Sequence, residues 1–186
     1  YYDSSGKSPG LAAVRAAEKA RLEAAPARGY QPIDGPVAYN QAVQELVFGT
    51  GSPLLAAGRV VTVEALGGTG ALKIGADYLR RLLPKAEGHI SDPSWENHRA
   101  LFESAGFAVN NYAYYDAATQ GVDFPAMTAA LAVLPAGAIV VLHACCHNPT
   151  GADLSEAQWR TVVDTVRTRN LVAFIDMAYQ GFADGI

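Results

Sequence analysis

Cysteine is scarce here: two in 186 residues, and the two are neighbours, Cys145 and Cys146. Adjacent cysteines cannot close a long loop, so no disulfide framework holds the fold and two reduced thiols are expected. Charge is also sparse, at 17% of residues with a net charge of -4 and no basic cluster. That leaves no electrostatic footprint for nucleic acid or an anionic membrane. No apolar run approaches the roughly 18 residues of a membrane span. The first residues, Tyr1-Tyr2-Asp3-Ser4-Ser5-Gly6, lack the charged and apolar pattern of a secretory signal. A cytoplasmic protein working on small molecules is the expectation. An initiator methionine and any closing element after Phe182-Ala183-Asp184-Gly185-Ile186 are also missing, so a piece of a longer polypeptide is expected.

Half of the residues are hydrophobic, enough for one sizeable core and one domain at this length. Apolar runs that read as buried strands alternate with stretches of helical period, which predicts an α/β fold: a mostly parallel sheet with helices on both faces. The expected strands are Val60 to Leu66, Gly88 to Ser91, Phe107 to Tyr112, Ala138 to His143 and Leu171 to Asp176. Between them, Leu72, Gly75, Ala76, Leu79 and Leu83 share one helical face, as do Trp95, His98, Leu101, Phe102 and Ala105. Ser155 and Gln158 spell a capping box, with Leu154 placed to staple onto Trp159. The inward face of that helix would be Trp159, Val162, Val163 and Val166. Upstream, Leu11 to Ala25 reads as an Ala-rich helix. After a turn-rich connection, Pro36 opens another, with Tyr39, Val43, Leu46 and Val47 inward.

Four segments carry the candidate chemistry. Asp176-Met177-Ala178-Tyr179 closes an apolar strand, delivering a carboxylate and a phenol to the rim of a sheet. The carboxylate can pair with a protonated ring nitrogen and the phenol can bond a ring oxygen, as pyridoxal phosphate requires; a helix cap or plain loop is the structural alternative. Gly67-Gly68-Thr69-Gly70 joins a predicted strand to a helix, where free N–H groups and the Thr69 hydroxyl suit a phosphate, or the glycines serve only a tight turn. Ser91-Asp92-Pro93-Ser94-Trp95-Glu96-Asn97-His98 sets an indole just past a strand end. There Trp95 could stack on a flat ring or simply join the core, and His98 could stand behind a carboxylate.

The fourth segment runs from His143 to Gly151. His143, Cys145, Cys146 and His147 are all possible metal ligands, but in an extended chain Cys146 points away from the others and the spacing fits no usual zinc geometry, so no metal is expected. Asn148-Pro149-Thr150-Gly151 reads as a sharp turn with the Asn148 amide free to donate to a ligand oxygen. Two nucleotide readings fall short. A dinucleotide fingerprint from Gly68 needs a third glycine where Lys73 stands, although Asp92 lies near the place of a ribose-binding acid. A P-loop ending in Gly6-Lys7-Ser8 needs its first glycine at Tyr1.

Together, Gly67-Gly68-Thr69-Gly70-Ala71-Leu72, Asp92 to His98, His147-Asn148-Pro149-Thr150-Gly151-Ala152-Asp153 and Asp176 to Phe182 resemble the class I aminotransferases, above all the bacterial aspartate and aromatic amino-acid branches. The resemblance runs in order along nearly the whole chain. It implies a fold-type I homodimer that moves an amino group between an amino acid and a 2-oxo acid through pyridoxal 5'-phosphate. By that resemblance Gly68 and Thr69 hold the phosphate, Trp95 stacks on the ring, Asn148 and Tyr179 bond the ring hydroxyl oxygen, and Asp176 keeps the ring nitrogen protonated. His98 and His143 stand behind Asp176. Tyr30 reaches the phosphate of the neighbouring subunit.

The resemblance also implies that residues 10–186 form part of the cofactor-binding large domain behind a segment 1–9, with the small domain and C-terminal half absent. The family's cofactor-linked lysine and carboxylate-binding arginines lie beyond Asp176. None of Lys7, Lys19, Lys73 and Lys85 matches that lysine, so this length of chain by itself is expected to be inactive. The words Cys145-Cys146-His147-Asn148 and Trp95-Glu96-Asn97-His98 look more like the aromatic branch. Two other classes stay open: a non-catalytic sensor that binds the same cofactor, and a nicotinamide-binding Rossmann protein.

Overall fold

The computed structural model describes residues 5–8 and 10–182. Parts of the expected segment 1–9, and residues 183–186, lie outside the described residues. The chain divides into two compact units, Tyr1–Val63 and Glu64–Ile186. The first holds α1 (Ala12–Ala24), α2 (Val37–Phe48) and the short α3 (Pro53–Ala56). The expected inward face of α2 is not buried: Tyr39, Leu46 and Val47 are exposed and Val43 is half-buried. Pro36 is the residue before that helix rather than its first.

The second unit opens with α4 (Gly67–Leu82), followed by β1 (Gly88–Asp92), α5 (Glu96–Ser104) and β2 (Val109–Ala113). A small hairpin, β3 (Tyr115–Asp116) with β4 (Gly121–Val122), precedes α6 (Phe124–Ala132), β5 (Ile139–His143), α7 (Glu156–Thr168) and β6 (Val172–Asp176). The four longer strands form one parallel sheet in the order β2-β1-β5-β6. The strand expected at Val60 to Leu66 is absent, because no strand among the described residues runs beside it to carry a ladder. Its Val61 and Leu66 lie exposed.

Side chains alternate along β5 and so build two cores. Val140 and Leu142 meet Tyr112, Met127, Leu131 and Val162 beneath α6 and α7. Ile139 and Val141 meet Ala76, Ile90, Phe102 and Phe107 beneath α4 and α5. A strand buried on both faces reads as an unbroken apolar run, which is why Ile139 to Leu142 was legible. The approach of α4 to β6 is close: a Cβ on Gly75 would stand 2.8 Å from the Phe174 ring, so this helix position has no room for a side chain.

The α7 capping box forms as expected, the Ser155 hydroxyl accepting from the Gln158 N–H and the Gln158 side chain accepting from Ser155 N–H. Trp159 and Val166 pack on the core, whereas Val163 faces outward at 49% exposure. Replacing Ser155 by alanine is expected to cost about 1 kcal/mol of stability, read as a lower urea midpoint with an unchanged slope.

Candidate active site

The sheet order reverses direction between β1 and β5, and the carboxyl ends of parallel strands at such a point form a crevice. Three segments leave those ends. β1 leads into Ser94 and Trp95, β5 into the turn from Ala144 to Gly151, and β6 into Tyr179. Register sets His143 beside Asp176. A cavity of about 160 Å³ opens there, lined by Gly68, Trp95, Asn148, Asp176 and Tyr179 together with Leu72, His143, Cys145, Cys146 and Ala178.

Five expected site residues thus meet at one cavity, with His143 in its wall. Gly68 lies in the first turn of α4, where the preceding Leu66 offers no side-chain cap to the free N–H groups. A side chain on Gly67 or Gly68 would meet open space, so backbone donors there are accessible. Thr69, in the same turn, is exposed and is not among the lining residues. Tyr30 belongs to the first unit and is fully exposed. Both adjacent cysteines line the cavity because the chain is not extended there: Cys146 takes a left-handed conformation at φ 49°. That corrects the expectation that Cys145 and Cys146 point to opposite sides.

Behind Asp176 runs a string of hydrogen bonds whose direction is set at its far end. The Asn148 main-chain N–H can only donate, and it donates to His143 Nδ1 at 3.2 Å. The neutral His143 ring therefore carries its proton on Nε2 and donates to Ser94 Oγ at 3.3 Å. Ser94 in turn donates to His98 Nδ1 at 2.9 Å, leaving His98 Nε2–H to donate to Asp176 Oδ2 at 2.7 Å. That last bond holds the Asp176 carboxyl below its ordinary range against the opposing effect of burial. His143 is pushed down to about 3, chiefly by burial and then by neighbouring His147 and His98, with Asp176 opposing. His147 is pushed down to about 4, again chiefly by burial, with Asp153 opposing. The site thus presents an anionic carboxylate, with the His143 and His147 rings nearby held neutral.

His98 and His143 stand behind Asp176 in the structure, and Ser94, His147 and Asp153, to which sequence reasoning assigned no part, join them. The Asp153 carboxylate accepts the N–H groups of Cys146 and His147 at 2.6 and 2.8 Å, pinning the turn that carries Asn148. Asp153 follows the glycine turn closely enough in sequence to suggest such a clamp; Ser94 and His147 give no comparable signal.

Known proteins resemble this chain along its whole length. The profile of the family "Aminotransferase class I and II" matches residues 1–186. The chain belongs to that family. It is 62% identical to the aspartate aminotransferase of Pseudomonas aeruginosa and 50% identical to the aromatic-amino-acid aminotransferase of Escherichia coli, matching over its full length and 47% of each relative. Its fold superposes on the aromatic-amino-acid aminotransferase of Burkholderia pseudomallei, crystallised covalently bound to pyridoxal phosphate. The TM-score is 0.96 at 64% identity, over all of this chain and 46% of that one. This chain therefore spans about half the length of the relatives it matches. The fold is that of the fold-type I aminotransferases and is incomplete at this length.

Proposed function

We propose that the whole protein is an aminotransferase that exchanges an amino group between an aromatic or dicarboxylic amino acid and a 2-oxo acid, such as 2-oxoglutarate, using pyridoxal 5'-phosphate. The carrying observation is the Asp176 carboxylate, set in the cavity beside Asn148 and Tyr179 and held anionic by His98. The donor set fits the cofactor piece by piece. A carboxylate suits a cationic ring nitrogen, an amide and a phenol suit a ring oxygen, an indole suits a flat ring, and an uncapped helix start suits a phosphate. Close relatives bearing both aspartate and aromatic names support the two-substrate reading, and the sensor and Rossmann readings find no such support.

When bound, the cofactor supplies an electron-accepting ring and a carbonyl that condenses with amines. Asp176 would hold the ring nitrogen protonated, and the His98 N–H would keep that carboxylate oriented and charged. Asn148 and Tyr179 would donate to the ring oxygen, Trp95 would cover one ring face and exclude water from it, and Gly68 with Thr69 would receive the phosphate. Tyr30 would serve the phosphate of a second subunit, which makes the protein a homodimer with shared sites. Residues 10–186 would be part of the large domain, after a leading segment 1–9, and the lysine that anchors the cofactor, the substrate-binding arginines and the small domain would lie in the remainder. A cytoplasmic location suits this chemistry. Among the described residues no helix is long and apolar enough to cross a membrane.

The purified full-length protein is expected to show a mass well above that of 186 residues and a near-visible absorbance band that borohydride abolishes, leaving a covalent pyridoxal adduct. With 2-oxoglutarate it should consume tyrosine, phenylalanine or aspartate. A full-length protein with neither band nor turnover would refute the reading.

A further inference from the structure

His147 is one of the most deeply buried polar residues, at 2% exposure, and the functional reading gives it no task. It lies on a second string of hydrogen bonds, whose direction is set at the acceptor end. Tyr112 donates its hydroxyl to the Val141 carbonyl at 2.8 Å, and a carbonyl can only accept. With that proton committed, the Tyr112 oxygen receives the Ser91 hydroxyl, its partner across the β1–β2 ladder. Ser91 must then accept from His147 Nε2–H at 2.9 Å, so His147 Nδ1 is bare and accepts the Thr150 hydroxyl at 2.8 Å. Thr150 is itself located by the Ala152 N–H at 3.1 Å.

The two strings touch face to face. The His147 ring stacks on His143 with centroids 4.2 Å apart and planes 29° apart, and on Tyr114 at 4.0 Å and 16°. The Tyr114 hydroxyl is anchored to the Ala152 carbonyl at 2.7 Å. His143 meets His98 edge-on at 4.8 Å. The plane of the His143 ring is thereby confined by neighbours that are hydrogen-bonded in their own right.

That plane has a chemical consequence. If His143 turned so that its Nδ1 left the Asn148 N–H, the string behind Asp176 would lose its fixed donor and could run backwards. Ser94 would donate to His143 and accept from His98 Nδ1–H, and a bare His98 Nε2 would face the carboxylate at 2.7 Å, lone pair against lone pair. Asp176 would then hold a proton more readily and attract a cationic ring less. We propose that His147 is a positioning residue for Asp176: locked by Thr150 and Ser91, its ring holds the stacked His143 in the orientation that keeps His98 a donor to the carboxylate. The consequence for turnover rests on the aminotransferase reading; the structural claim does not.

The test uses the full-length holoenzyme labelled with 15N in histidine, whose ring-nitrogen shifts report which nitrogen carries the proton. In the parent, His143 and His98 are expected to show protonated Nε2 and bare Nδ1. In His147→Ala the His143 and His98 nitrogens are expected to move toward tautomer-averaged shifts, with kcat lower by about tenfold and KM for the amino acid little changed. His147→Phe, which keeps a ring in the stack but loses both hydrogen bonds that lock it, should shift the His143 and His98 nitrogens in the same direction as His147→Ala, though less far. Parental His143 and His98 shifts in a folded His147→Ala protein would overturn the proposal. Should that variant not fold, Ser91→Ala removes the acceptor that locks His147; averaged shifts would support the proposal and parental shifts would overturn it. Averaged spectra in a protein without transaminase activity would sink the functional reading and leave this inference standing.

Discussion

Asp176→Ala is expected to lower transamination by two to three orders of magnitude while the protein stays folded and loses less of its cofactor than of its turnover. The Asp176 side chain is 19% exposed, and its partner, the His98 imidazole, is fully buried. Removing one preorganised group that stabilises charge in a transition state costs about 3–4 kcal/mol. Expressed wholly in the transition state, that range corresponds to a rate loss of about 10² to 10³. Cofactor retention should suffer less, because Gly68, Trp95, Asn148 and Tyr179 keep their contacts around the same cavity. Asp176→Glu should fall between, having charge without the position that His98 selects. Single-turnover rates, cofactor content from absorbance and a melting curve separate the three effects. Near-parental turnover in Asp176→Ala would remove this residue from the mechanism.

Acid should destabilise the fold from an unusually high pH. His143 and His147 ionise at about 3 and about 4 in the folded protein, against an ordinary 6.5. Below pH 6.5 the unfolded chain takes up both protons and the native one refuses them, so stability is full above that pH and falls as the pH drops toward 4. With about 1.4 kcal/mol per pH unit for each group, two groups set a limiting slope of about 2.7 kcal/mol per unit. The half-buried His143 ring brings the observed slope below that limit through solvent screening. Asp176, whose carboxyl is also lowered, adds a further loss at lower pH as it is protonated. Urea midpoints measured from pH 7.5 to 4.5 should begin to fall near 6.5. A flat profile down to pH 5 would mean that the two imidazoles are not held neutral.

The cavity-lining residues named above were legible because they sit at fixed places in local patterns. Asp176 closes an apolar run, Trp95 precedes a helix, Asn148 stands in a proline-glycine turn, and Gly68 lies in a glycine-rich helix start. Each is a property of a few consecutive residues. The same logic failed at Val60 to Leu66, a largely apolar run, because a strand exists only where another strand runs beside it. It failed for Val163, Tyr39, Leu46 and Val47 because helical period shows that a face is apolar and says nothing about whether anything covers it.

From sequence alone came the family, the parallel α/β class, the capping box of α7 and the identity of the groups that face the cavity, since all are written in local order and spacing. Tertiary structure alone decided how those groups are held. His98 and Asp176 are 78 residues apart, and Ser91 and His147 are 56 apart, and each pair meets only because parallel strands bring their carboxyl ends to one rim. Which ring nitrogen carries each proton follows from one backbone N–H at Asn148 and one carbonyl at Val141, groups that every residue possesses and whose role depends wholly on where the fold puts them.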